Sequence, residues 1–438
     1  MRKSFCLFLV SGIVLTAFGQ KPDTLLLETA IATALEKNFE IRIAKNTLKI
    51  AENNNTLGNA GFLPVLDLGG SWDNSIQNTE QEFASGDSQT RDGASRELLA
   101  GSADLTWTIF NGLAMFASRD RLAHESLSAQ LAMKSGVDNV IAQVMTLFFT
   151  VALEQERLAL FASNIAFSEN RVQIVNQKYE LGKESKLSLL QAQVDLNADK
   201  SAMLQQQELL ITRRLELLRA MGLEASGVYE VFYNLTIDTL IRLDQTLADA
   251  GAMNPALQRE LVNKSILENQ KQEISRGRLP ELDVNLGYSY SNLESEAGFV
   301  IRNQTTGLNY GLTARWTVFD GFNRDRELQN AIVSMDNAEI VYDDLKNQLE
   351  TSIRTIYTTY RNNLSLQQLE RENLEVAREN SSIALERFRL GASDALELRE
   401  AQVNSVNAEV RYLQAGFNAK IAEIELRRLS GKISAVAQ

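Results

Sequence analysis

The chain has 438 residues, of which 44% are hydrophobic and 23% are charged, and its formal net charge at pH 7 is −12. This acidic balance argues against a nucleic-acid-binding protein, in which a basic surface is expected. One cysteine (Cys6) and one histidine (His124) leave too few ligands for a zinc site, so we expect no metal and no other cofactor. The sequence also contains no nucleophile–base arrangement and no glycine-rich phosphate loop, and we therefore expect no enzymatic activity.

The first 19 residues are typical of a secretory signal. Arg2 and Lys3 supply its charge, residues 5–18 its apolar core, and residues 17–19 a small-x-small cleavage motif. Loss of residues 1–19 would remove Cys6 and would change the net charge from −12 to −14, because two basic residues leave. The apolar core is shorter than the roughly 20 residues of a spanning helix. No later stretch has the apolar character of a span, so we expect any membrane contact to use strands.

The first elements are a helix and a β-hairpin. Residues 24–56 carry apolar side chains at helical spacing and predict one amphipathic helix. Strict alternation then predicts strands at about 64–76 and 100–110, each with one apolar and one polar face, and the polar residues 73–98 predict a loop.

A helix of unusual length follows the hairpin. Apolar residues recur at threes and fours from about Leu113 to Tyr179 without a proline. At 1.5 Å per residue such a helix approaches about 100 Å, which is typical of a coiled coil rather than of a compact domain. Leu181-Gly182 predicts a break at about 181–184, and the return helix runs from about Ser185 to Met221.

The chain then repeats itself. Residues 223–238 form a linker with a β-like segment, and residues 239–438 repeat the pattern of residues 20–222. From Trp107 onward the second copy follows the first by 209 residues, and before the strands it follows by 216, so the first hairpin has the longer loop. The second half is predicted to contain a helix at about 238–276, strands at about 281–291 and 307–319, a long helix at about 322–388, a break at about 390–393 and a helix at about 394–429.

Four strands cannot close a barrel, and an open edge in lipid leaves backbone groups without hydrogen bonds. Oligomerisation would solve this problem: two copies give eight strands with a filled interior, and three copies give twelve strands with a lumen. The polar faces would then line water, and aromatic residues would form interfacial girdles. A soluble hairpin packed on helices is the alternative. The girdle residues would be Trp72, Trp107, Tyr288, Tyr310 and Trp316.

The duplicated halves, the Leu-Pro strand openings, the Trp-x-x-Phe-x-Gly strand ends and the Leu-Gly helix breaks together resemble the TolC-like outer membrane efflux proteins. The resemblance extends over essentially the whole mature chain. It implies an α+β membrane protein: a homotrimer with four strands per chain in a 12-stranded barrel, continuous with a periplasmic α-helical coiled-coil barrel. It also implies a Gram-negative outer-membrane location and passive export, gated at the entrance helices. The partners would be a periplasmic adaptor protein and an inner-membrane transporter of a tripartite efflux or type I secretion system.

The resemblance also implies roles for particular residues. Leu181, Gly182, Leu390 and Gly391 would contact the adaptor, although glycine is also the residue that a helix end favours. Glu397 and Glu400 share a helix face and match two entrance aspartates of the family, so three copies would present six carboxylates. The corresponding residues of the first half are uncharged, and a solvated helix face is the simpler interpretation.

A different class of function remains open at this stage. The chain could be a structural or adhesive coiled-coil stalk at the cell surface, with its hairpins as oligomerisation patches. A nutrient porin would leave the long helices unexplained. Ion conduction across a bilayer distinguishes a tunnel from a stalk.

Overall fold

A computed structural model describes residues 23–225 and 229–436, and the predicted signal at residues 1–19 lies outside them. The elements of the first half are β1 (Asp23–Leu25), α1 (Leu27–Lys37), α2 (Phe39–Asn54), β2 (Val65–Glu82), β3 (Ser88–Asn111), α3 (Ala114–Glu180) and α4 (Lys186–Ala220). Those of the second half are β4 (Tyr229–Val231), α5 (Leu243–Met253), α6 (Pro255–Arg276), β5 (Glu281–Ser295), β6 (Arg302–Arg315), α7 (Asn323–Leu390), α8 (Ala395–Leu429) and a 3₁₀ turn (Ile433–Val436).

Two long helical hairpins dominate the chain. Helices α3 and α7 contain 67 and 68 residues, so each spans about 100 Å. Each packs against the shorter helix that follows it, α4 or α8, and the turns between them fall where the Leu-Gly breaks predicted them. The duplicated arrangement of helix, β-hairpin and long helical hairpin is confirmed.

The middle of α3 forms the main core. Its buried side chains pack with α1, with the end of α4 and with α8, and Val144, Phe148 and Phe417 are fully buried there. Contrary to the sequence interpretation, α3 contains a segment that is long and apolar enough to cross a membrane. In this structure 61% of that segment is buried inside the protein, which explains its apolar character by packing. The predicted β-like linker is also present, because β4 pairs in parallel with β1 beside this core.

The four long strands form one antiparallel sheet in the order β2-β3-β5-β6. The prediction of a loop at residues 73–98 is wrong: β2 and β3 continue through this polar sequence as far as Glu82 and Ser88. The strands continue because each supplies the other with antiparallel hydrogen bonds, interrupted by one register shift between Gln77 and Thr79, whatever the polarity of the side chains. The second hairpin differs from the prediction at the end nearer the helices. The sequence predicts that strand β6 continues to about residue 319, but it ends at Arg315. The corresponding strand of the first hairpin, β3, continues to Asn111 alongside β5.

Each of the two predicted short helices is in fact two helices, broken at Asn38 and at Asn254. The Asn38 side chain accepts hydrogen bonds from the backbone N–H groups of Glu40 and Ile41 and caps α2. Its Nδ2 donates to the carbonyl of Ala220 at 2.7 Å. Asn254 caps α6 in the same way and donates to the carbonyl of Leu429 at 2.9 Å.

A glycine completes each of these joints. Gly222 and Gly431 have φ values of +73°. A Cβ on Gly222 would lie 2.4 Å from the carbonyl oxygen of Lys37, and one on Gly431 would lie 2.6 Å from that of Met253. Only glycine fits this close approach of two backbones. Each half therefore fastens the end of its long helical hairpin to the bend in its own short helices.

Replacing either capping asparagine by alanine should destabilise the protein by about 1–3 kcal/mol, because a helix cap and a buried hydrogen bond are lost together. Unfolding temperatures of Asn38→Ala and Asn254→Ala in detergent measure this loss. The control is Asn404→Ala at an exposed position of α8, away from both joints. Equal unfolding temperatures for all three variants would contradict the assignment.

Candidate functional site

The register of the sheet places most apolar residues of the four strands on one face, whereas Leu98 and Leu293 lie on the other. Leu68 lies opposite Ala103, Ala103 opposite Tyr288, and Tyr288 opposite Leu308. The neighbouring row on the other face runs through Asp67, Asp104, Gly287 and Asn309. In one copy both faces are largely exposed. Within the described residues the outer edges of β2 and β6 have no partner strand.

The five predicted girdle residues occupy different heights of the apolar face. The indole N–H of Trp107 donates a hydrogen bond to the backbone carbonyl of Phe62 at 2.9 Å, and the indole N–H of Trp316 donates one to the backbone carbonyl of Arg278 at 3.0 Å. Both tryptophans therefore lie at the end of the sheet that faces the helices. Trp72 lies eight residues farther along, opposite Leu99, and donates to Glu97 at 2.8 Å. Tyr310 and Tyr288 lie between these two levels.

The two helix breaks present leucines to solvent at the far end of the long helices. Leu181 is 71% exposed and Leu390 is 83% exposed. Gly182 and Gly391 follow them with positive φ values of 68° and 78°, as expected at helix ends. The four predicted contact residues thus form the outermost turns of the two helical hairpins.

Glu397 and Glu400 lie in the first turns of α8, just past one of these breaks. Asp394 caps α8 by accepting a hydrogen bond from the N–H of Glu397 at 2.8 Å. The carboxylate of Glu397 also accepts from Arg387 of α7 at 2.8 Å, in an ion pair that is about half exposed. Glu400 is exposed and has no ion pair among the described residues. The unpaired negative charge in these first turns of α8 therefore comes chiefly from Glu400. The pairing of Glu397 with Arg387 could not be read from the sequence.

A buried polar network, which the sequence analysis missed, joins the two helical hairpins a short distance along the helices from their Leu-Gly turns. Both terminal nitrogens of Arg399 on α8 donate to the carboxylate of Asp199 on α4, at 2.9 and 3.0 Å. Ser168 of α3 donates to Asp199 at 2.5 Å, and Gln402 of α8 donates to Ser168 at 2.7 Å. Helices α3, α4 and α8 are thus held together. Nothing in the sequence periodicity marks these residues, because charges near an apolar stripe are usually solvated.

Beside this network a groove of about 410 Å³ runs between α3, α7 and α8. It contains the ion pair of Arg378 with Glu409, at 2.7 Å, and the carboxylate of Glu156. The hydroxyl of Tyr233 donates to Glu156 at 2.8 Å, and burial together with this hydrogen bond raises the pKa of Tyr233. The hydroxyl therefore remains a proton donor at any physiological pH.

The described residues hold no group of three or more histidine, cysteine, aspartate or glutamate side chains placed for a metal ion. His124, the single histidine, is half-buried on α3 where this helix packs against α6, and its Nδ1 lies 2.9 Å from Nδ2 of Asn269.

Comparison with known proteins places these features in context. The model of the outer membrane efflux protein family matches residues 30–223 and 247–432. Protein CyaE of Bordetella pertussis is 21% identical over 345 residues, which are 78% of this chain and 72% of CyaE.

The fold is similar to those of solved outer membrane proteins. VceC of Vibrio cholerae superposes with a TM-score of 0.75 at 15% identity, over 92% of this chain and 96% of VceC. CusC superposes with a TM-score of 0.76 at 13% identity, over 92% of each chain. At these identities the likeness shows the fold alone.

Replacing Arg399 by methionine should lower the free energy of unfolding by about 1–3 kcal/mol, because Asp199 would stay largely buried without its cation. Denaturant unfolding of the purified protein measures the change. The matched control is Arg371→Met, whose ion pair with Glu375 is more than 70% exposed on both sides and should contribute little. Similar losses in both variants would refute a structural role for the network.

Proposed function

The chain belongs to the outer membrane efflux protein family, and from that premise we propose that three copies form an outer-membrane channel-tunnel. It would be the exit duct of a tripartite efflux or secretion system. Export would be passive, and an inner-membrane transporter would drive it through a periplasmic adaptor bound at the exposed helix ends. The observation that carries the proposal is the sheet, which has one apolar face, one polar face and two unpaired edges.

The internal repeat supplies a specific pairing for these edges. Within one chain the two halves meet where β3 pairs with β5. Under the repeat offsets, β6 corresponds to β3 and β2 corresponds to β5. The equivalent junction would therefore join β6 of one copy to β2 of the next. The observed hydrogen bond from Thr108 to Asp283, at 2.7 Å, would become one from Thr317 to Asp67 of the neighbouring copy.

The helices support the same junction. Helix α6 packs on α3 within one chain, where Ser128 donates to Asn263 at 2.9 Å. The equivalent contact would be between α7 of one copy and α2 of the next. Both surfaces carry exposed apolar side chains that a single copy leaves uncovered. These residues are Ile43 and Ile50 on α2 and Val333 and Ile340 on α7.

The polar face favours three copies over two. Eight strands close around an interior that side chains fill, whereas twelve leave a lumen. The inward rows here contain carboxylates, such as Asp67 and Asp104, beside Gly69 and Gly287. Buried carboxylates without cations would be costly, and glycines would leave space unfilled. A water-filled lumen accommodates both.

Cysteine cross-linking tests this assembly directly. In Thr317→Cys/Asp67→Cys, oxidation should link neighbouring copies into covalent dimers and trimers, with no larger species, on a non-reducing gel. The matched control is Thr108→Cys/Asp283→Cys, which should close a disulfide within one chain and leave monomers. The wild-type protein should also conduct ions across a planar bilayer. Monomers alone from the test pair, or absence of conductance, would contradict the proposal and favour a surface stalk.

The acidic entrance is tested by multivalent cations, which should block conductance from the helix-tip side. Block should weaken in Glu397→Gln/Glu400→Gln, because a ring of carboxylates concentrates cations in a narrow passage. Glu400→Gln should account for most of the effect, since Glu397 is already paired with Arg387. The matched control is Glu372→Gln/Glu375→Gln, an exposed pair at the same spacing on α7. Unchanged block in the entrance variant would rule out the ring.

A further inference from the structure

The pairing of the first β-hairpin contains a bulge near its tip, and the pairing of the second β-hairpin contains none. Beyond Gln77 the pairing of β2 with β3 shifts by one residue, and Gly93 takes a φ of +70° at this bulge. The Asn78 side chain accepts a hydrogen bond from the N–H of Gly93 at 2.8 Å. Bulges of this kind bend the strand and increase its twist. The bulge between β2 and β3 therefore changes the direction of the tip of the first hairpin relative to the rest of the sheet.

The hairpin tip lies against the tip of the second hairpin through aromatic side chains. The ring centroids of Phe83 and Phe299 are 4.4 Å apart, and Gln81 lies beside Gly298. The second tip nevertheless remains exposed: Phe299, Val300 and Ile301 keep 80%, 60% and 76% of their surface in contact with solvent. Three consecutive exposed apolar residues at the end of a hairpin suggest a covered surface in the working assembly.

Lipid chains are poorly placed to cover these residues. Phe83 follows Trp72 by eleven residues, or about 36 Å along a strand at 3.3 Å per residue. Even with a tilt of about 40° the tip stands more than 20 Å beyond Trp72. If Trp72 marks the outer boundary of the hydrocarbon layer, the apolar tip lies in water or among polar headgroups.

The proposed junction between copies supplies a better occupant. In that junction Thr317 lies opposite Asp67 of the next copy. Counting sixteen residues back from Thr317 gives Ile301, and counting sixteen residues on from Asp67 gives Phe83. The template pairing runs from Thr108–Asp283 to Arg96–Ser295, which corresponds to Thr317–Asp67 through Thr305–Thr79 between copies. Continued four residues farther along these antiparallel strands, the same register would bring Ile301 of one copy to the level of Phe83 of the next.

We propose that the hairpin tips form a closed apolar lip around the outer mouth of the assembly. In this lip Phe83 of each copy stands between its own Phe299 and Ile301 of the neighbouring copy. The inference rests on the proposed trimer and adds a second, separate contact between copies beyond the membrane. Six hairpin ends held in this way fix the diameter of the opening.

A second cysteine pair tests the lip. Oxidation of Phe83→Cys/Ile301→Cys should give covalent dimers and trimers, and either single substitution alone should give monomers, because Cys6 lies in the predicted signal. The pair Thr317→Cys/Asp67→Cys is measured in parallel. If that pair cross-links and the lip pair yields only monomers, the lip is wrong and the channel stands. If neither pair cross-links, the assembly itself is wrong.

Limited trypsin digestion provides a measurement that does not depend on cysteine geometry. Arg91 and Arg302 flank the two tips, and we expect both sites to resist cleavage in the wild-type protein. Phe83→Ser/Ile301→Ser should be cleaved at least ten times faster at these sites while the mass of the assembly stays unchanged. Equal cleavage rates would contradict the lip. The lip would also be contradicted if the wild-type sites resisted trypsin in membranes but were cleaved in detergent. That result would identify lipid as the material that covers the tips.

Discussion

The outward-facing N–H and C=O groups of β2 and β6 impose the strongest constraint on this protein. Water can satisfy such groups at the edge of a soluble sheet, but in lipid each unpaired group costs several kcal/mol. Within residues 23–225 and 229–436, no helix covers the apolar side chains of the two edge strands β2 and β6. In the proposed assembly, neighbouring copies would pair both edges and would also cover the exposed apolar side chains of α2 and α7.

The duplication of the chain explains how the incomplete unit can be completed. Each half fastens its short helices to its long helical hairpin with the same asparagine and glycine, Asn38 with Gly222 and Asn254 with Gly431. Each half also ties the end of a strand to the preceding loop with a tryptophan N–H. Because the halves are built alike, the junction between them within one chain would serve as a template for the proposed junction between copies.

The two halves differ at the turn between their long helices. The first turn between long helices carries Ser185 and Ser188, whereas the second carries Asp394 and Glu397 at the equivalent positions. At these two positions the second hairpin carries carboxylates, whereas the first carries only hydroxyl groups. The network around Arg399 and Asp199 ties that hairpin to the other one. In the proposed channel, movement of the second hairpin relative to the first would have to break these hydrogen bonds or carry them along.

Much of this architecture could be predicted because it depends on local pattern. Alternation with period two identified the four strands, and apolar spacing without proline identified α3 and α7. The misses depend on partners distant in sequence. The bend at Asn38 is set by the carbonyl of Ala220, and the polar residues 73–98 become strands because each has a facing strand. β6 ends at Arg315 because its pairing partner β5 begins at Glu281, and the role of Arg399 depends on two other helices, α3 and α4, meeting around it.

The most direct test of this account is the mass of the native protein extracted from membranes in mild detergent and corrected for bound detergent. The account predicts three copies, because twelve strands are needed to close both edges around a polar lumen. A monomer would leave the edges of β2 and β6 open in lipid and would contradict the channel. The alternative of a coiled-coil stalk at the cell surface would then have to replace the channel.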